Sequence, residues 1–140
     1  MTTHAPLAAG RQHTVRCLPN GRVVAVGADS AGECRVSQWR DVVAVAAGNV
    51  HAAGNTGRSH TLGLRSNGTV LACGWNAQGQ CNVQDWHGVV TVAAGWRFSA
   101  GLRGDGTLVT TGRDAEGQRQ VDHWRELTGI SCGDWHTVAV

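Results

Sequence analysis

The chain has 140 residues, 12 of them basic and 10 acidic, and charged side chains make up only 16%, below the roughly 25% of ordinary soluble domains. That length suits one domain, and a net charge of +2 with interspersed signs excludes a nucleic-acid-binding stripe or a basic membrane-binding patch. Its 20 glycines argue for many tight turns rather than long helices.

The opening stretch, MTTHAPLAAGRQHT, lacks the apolar region of a signal peptide, and no apolar run approaches the ~18 residues of a spanning helix. The five cysteines are odd in number and form no CxxC pair. Free thiols in a reducing, cytoplasmic setting are therefore expected rather than a disulfide scaffold.

In chain order, the first predicted strand is HTVRCL, starting at His13, followed by a turn at Asn20-Gly21 and a second strand, VVAVG. A loop rich in small and polar residues leads to a short third strand around ECRV. Trp39 then precedes a valine run, VVAVAAG, read as a fourth strand. The same order returns twice. Residues 8–45, 46–92 and 93–130 align in register, and 131–140 begin a fourth copy. Each follows AAG-xx-HT, then Asn-Gly or Asp-Gly, then G-x-(N/D)-x-x-G-(E/Q), then V-x-x-W. The second copy carries nine extra residues in NVHAAGNTG, including His51 and Asn55.

Asn20-Gly21, Asn67-Gly68 and Asp105-Gly106 accept positive φ and predict type I′ hairpin turns. Four short strands recurring about every 40 residues mark a propeller blade. The expected fold is all-β: a partial β-propeller of about three four-stranded antiparallel blades plus one strand of a fourth, spanning 1–140 as a single repeat domain.

Within a blade, Gly57-Arg58-Ser59-His60-Thr61, Asn67-Gly68-Thr69, Gly74-Trp75-Asn76, Gly79-Gln80 and Trp86, with their counterparts in the other copies, resemble the regulator of chromosome condensation repeat family. At this length the copies are similar to the family's compact bacterial form, the type found in a secreted β-lactamase inhibitory propeller. The resemblance implies a seven-bladed ring, of which this chain supplies part. A fragment of a longer propeller, a homodimer completing the ring and an arc capped by a partner all remain open.

Residues that recur in register serve the blade. His13, His60 and His136 each precede threonine, but the third copy has Phe98-Ser99; a histidine that trades with phenylalanine is not a metal ligand, and no metal or other cofactor is expected. Trp39, Trp86 and Trp124 are expected as rings packed between blades. Cys73 aligns with Val26 and Thr111, and Cys132 with Ala9 and Ala94, so these thiols behave as small hydrophobes. No cysteine stands out as a nucleophile with a base beside it, and the chain is read as non-enzymatic.

Function is expected where the copies differ, on loops carried by a rigid scaffold. One variable loop follows AAG and holds Arg11, Arg58, Trp96, Arg97, Asp134 and Trp135. The other follows the second strand and holds Trp75 and Arg113. Both loops should leave the same side of the disc, opposite the Asn-Gly turns. Tryptophan and arginine are the types most enriched at interface hot spots, so a protein partner bound at this face is the leading expectation, with no role in binding nucleic acid or membrane. The alternatives are a small ligand or carbohydrate stacked on Trp75 or Trp96 at the funnel, and a purely structural segment of a larger propeller protein. Gly95-Trp96-Arg97 also resembles the start of the Gly-Trp-Arg-His-Thr motif of the family's plant ultraviolet-B photoreceptor. Phe98-Ser99 breaks that motif, and photoreception is not implied.

Overall fold

The computed structural model describes residues 5–49 and 57–140; most of the nine-residue insert, with His51 and Asn55, lies outside them. The described residues hold eleven strands and no helix, so none is long and apolar enough to cross a membrane. Strands β1 (Leu7–Ala9), β2 (His13–Cys17) and β3 (Val23–Gly27) form the first antiparallel sheet. The second holds β4 (Val42–Ala47), β5 (His60–Arg65) and β6 (Val70–Gly74), and the third β7 (Val89–Ala94), β8 (Phe98–Arg103) and β9 (Leu108–Gly112). A fourth unit pairs β10 (Ile130–Cys132) with β11 (Thr137–Ala139). Strand β1 lies against β4, β4 against β7, and β7 against β10, so the first strand of each sheet faces the next. This is the arrangement of a partial propeller.

Three details differ from the sequence-based expectation. The sheets have three strands, not four, and the fourth unit has two strands, not one. The valine run also pairs forward: β4 straddles the boundary between the first and second copies and bonds to β5, from Ala47 opposite Thr61 to Val42 opposite Arg65. The expected strand around ECRV is instead a chain of turns, and the G-x-(N/D)-x-x-G-(E/Q) motif explains why. Asp29 accepts the Cys34 N–H (2.9 Å) and Glu33 accepts the Ala31 N–H (2.8 Å). Asn76 and Gln80 do the same for Cys81 and Gln78, and Asp114 and Gln118 for Arg119 and Glu116. With these donors satisfied locally, the segment has no need of a neighbouring strand.

The Asn-Gly turns lie at the predicted sites but are not type I′. Gly21 donates to the Leu18 carbonyl (2.9 Å) and Leu18 to the Arg22 carbonyl (2.8 Å), giving a three-residue loop. Only the glycine takes positive φ, +78° at Gly21, +82° at Gly68 and +79° at Gly106. This is a type I turn closed by a glycine bulge. The Asn or Asp side chain accepts the N–H two residues on, at Arg22, Thr69 and Thr107, so it can hold the turn without adopting the left-handed region itself.

Each seam between sheets is an apolar layer. Val36 and Trp39 pack with Leu71 and Cys73 across the first seam, and Val83 and Trp86 with Val109 across the second. A Cβ on Gly63 would lie 2.7 Å from the Trp39 ring, and one on Gly101 3.0 Å from Trp86. Glycine is therefore what lets the indole approach the next sheet this closely. A buried tryptophan removes about 150–250 Å² from water, worth several kcal/mol at about 25 cal/mol per Å². Trp124, at the third seam, is only half-buried and packs near Ala139.

Candidate functional site

Two kinds of polar cluster lie near one end of the sheets. The first is buried in the seams. His13 Nε2 meets Thr61 Oγ1 at 2.9 Å, and that hydroxyl donates to the Glu33 carbonyl at 2.6 Å. One sheet on, His60 Nε2 meets Ser99 Oγ at 2.9 Å, which donates to the Gln80 carbonyl at 2.8 Å. Because each hydroxyl proton is committed to a carbonyl, the histidine must donate, which places its proton on Nε2. At the third seam Phe98 replaces the histidine, and Thr137 Oγ1 still donates to the Gln118 carbonyl (2.8 Å).

Burial pushes the His60 imidazole down to about 4, with His13 beside it adding to the effect. His13 is lowered too, again mainly by burial, with Glu33 opposing. His13 and His60 are therefore neutral clasps between sheets. A Cβ at Gly48 would lie 2.5 Å from the His60 ring, and one at Gly133 would collide with His136; the glycine at this register leaves room for the ring, and Gly95 does the same for Phe98. Burial also pushes the Cys73, Cys81 and Cys132 thiols up to about 12, where they stay protonated and unreactive. Among the described residues, no three His, Cys, Asp or Glu side chains gather as a metal site.

The second cluster is on the rim. The loop after AAG and the loop after the hairpin's second strand leave the same end of each sheet, because His60 pairs with Gly74 and Phe98 with Gly112. Bonds from Trp75 N–H to the Ser59 carbonyl (2.7 Å) and from Arg113 N–H to the Arg97 carbonyl (2.8 Å) tie the two loops together. The sequence-predicted side chains meet in two stacks. The Arg58 guanidinium lies 4.5 Å from the centre of the Trp75 ring. Arg97 and Arg113 lie 4.4 and 4.9 Å from the Trp96 ring centre. Trp135 meets Trp96 edge-on, with ring centres 6.4 Å apart, and the Asp134 carbonyl accepts the Trp96 N–H at 3.3 Å. Arg11 is exposed on its own sheet's loop and joins neither stack.

Trp96 is buried and Trp135 is 45% exposed, so the rim has a fixed ring beneath and an accessible one above. Arg113 also grips the Glu116 carboxylate with Nε and Nη2, which holds that carboxyl below its ordinary range. Arg97 adopts φ +64°, the left-handed region that a long side chain enters only when its surroundings require it. Sequence reasoning chose these residues through their variation between copies. It missed Glu116, whose role needs Arg113 folded back over Trp96.

The model of the regulator of chromosome condensation (RCC1) repeat matches residues 55–80 and 89–118, which hold β5 and β6 of the second sheet and all of the third. These two segments match the RCC1 repeat. Solved propellers agree in fold: yeast RCC1 (Prp20) bound to Kap60 superposes with a TM-score of 0.68 at 20% identity, over 96% of this chain and 40% of that one. The ectodomain of the Arabidopsis thaliana receptor kinase ACR4 gives 0.73 at 15% identity, covering 96% and 45%. Human WBSCR16 gives 0.73 at 21%, covering 96% and 44%. The chain thus spans less than half the length of these structures. Comparison with curated protein sequences gives no significant match.

Proposed function

We propose that this RCC1-repeat chain is a non-enzymatic propeller scaffold that binds a protein partner through its Trp/Arg rim. The observation that carries this reading is the pair of guanidinium–indole stacks, Arg58 on Trp75 and Arg97 with Arg113 on Trp96. Stacking holds long side chains in place before a partner arrives, which lowers the entropy lost on binding, and these are the residue types that dominate interface energetics. The raised thiol values and the clasped, neutral histidines leave the buried polar groups with structural work.

Propellers of this fold bind proteins: yeast RCC1 (Prp20) was solved with Kap60, and Prp20p was studied for binding to Gsp1p and histones. For this chain the partner is a separate question. Reversing Arg58, Arg97 and Arg113 to Glu should abolish capture of a partner while the circular dichroism spectrum and urea midpoint stay within error. Capture unchanged by all three reversals would remove the rim from consideration.

A further inference from the structure

Resting on the protein-binding reading above, the geometry points to the chemistry of the partner: we propose that the rim recognises an acidic peptide segment, whose carboxylates are gripped by Arg58 and Arg97. The molecule already contains one such complex. Arg113 lies over Trp96 while two of its nitrogens hold both oxygens of Glu116, so a guanidinium stacked on an indole here keeps its edge donors free to fork onto a carboxylate. Arg97 lies over the same ring and Arg58 over Trp75. Among the described residues, the sole ion pair is Arg113 with Glu116. Arg58 and Arg97 therefore have the same stacked posture and no carboxylate to fill it.

Preorganisation adds to the argument. Arg97 is held at positive φ, with its carbonyl bonded to the Arg113 N–H, and Arg58 precedes Ser59, whose hydroxyl is fixed to the Gly48 carbonyl at 2.6 Å. A nucleic-acid strand is the less suitable occupant. Bases bind such surfaces by stacking on aromatic faces, and guanidiniums already lie over the Trp75 and Trp96 rings.

The test is fluorescence anisotropy with the purified chain and a labelled twelve-residue Glu-rich peptide, its Gln-substituted counterpart and a single-stranded oligonucleotide of equal charge. The Glu peptide should bind, weakening as salt rises, with the Gln peptide and the oligonucleotide at least tenfold weaker. Arg58→Gln and Arg97→Gln should each weaken the Glu peptide fivefold or more. Arg97→Lys, which keeps the charge and loses the fork, should weaken it nearly as much. Arg22→Gln, at the opposite end of the first sheet, should change it less than twofold. Equal binding of the Gln peptide or the oligonucleotide, or full affinity in Arg58→Gln and Arg97→Gln, would overturn the proposal. So would a Glu peptide that does not bind at all; in that case the reading of the rim as a protein-binding face still stands or falls on the charge-reversal capture.

Discussion

At the first seam His13 reaches Thr61 and Trp39 lies over Gly63; at the second, His60 reaches Ser99 and Trp86 lies over Gly101. The rim has no such duplication. One stack is a single arginine on Trp75, and the other gathers two arginines, Trp96 and an edge-on Trp135. Both regions come from the same repeats, so the contrast separates two demands on them. A seam must fit the same neighbour each time, which fixes its side chains. The rim faces solvent, where side chains are free to differ and to acquire a use.

If the seams carry the fold, they should be the least tolerant of change. Gly63→Val places a Cβ where the Trp39 ring lies 2.7 Å away, and overpacking with loss of ring burial should cost about 3 kcal/mol or more in urea unfolding. A stability close to that of the parent chain would mean that the seam does not depend on the missing side chain at Gly63.

Acid should act on the seams next. His60 is held at about 4 in the fold against 6.5 in the open chain, so the native state favours the neutral ring. The stabilisation is complete above pH 6.5 and is lost as the pH falls towards 4, amounting to roughly 3 kcal/mol, with His13 contributing in the same direction. Urea midpoints measured from pH 7.5 to 4 should decline across this window, and less steeply in His60→Phe, the residue the third sheet itself uses at Phe98. A flat profile in the parent chain would show that the ring is not a neutral donor.

Ser99→Ala is a smaller cut at the same place. It removes the hydroxyl between His60 and the Gln80 carbonyl and leaves a buried N–H without its acceptor, for about 1–3 kcal/mol. Thermal melts of this variant and of Thr61→Ala should fall by similar amounts, since the two seams use the same clasp.

The rim should barely register in stability. Arg97→Gly relieves a left-handed backbone, φ +64°, worth about 1 kcal/mol, and gives up a cation–π contact of about 0.5–1 kcal/mol. The two changes nearly cancel, so the urea midpoint should hold while binding at the rim is lost. A large loss of stability would instead make Arg97 part of the scaffold and dissolve the distinction between seam and rim.

Much of this was legible in the sequence because it is local or periodic. The positions of the turns, though not their type, follow from Asn-Gly and Asp-Gly, the hairpins from short apolar runs on either side, and the structural role of the histidines from Phe98 standing in one of their places. The same comparison of copies picked out the rim residues as the variable ones. What it could not supply was the strand count, since Asp29 and Glu33 satisfy backbone donors that a strand pattern would have sent to a neighbour.

The sequence by itself determined a repeated all-β unit, its turns and its candidate rim, since each of these depends on residues near one another or on a pattern returning in register. Only the tertiary structure decided that β4 bonds forward into the next sheet, that His13 clasps a residue 48 positions away and His60 one 39 away, and which arginine covers which indole. Those outcomes depend on how neighbouring sheets are set against one another, and separation along the chain carries no record of that distance in space.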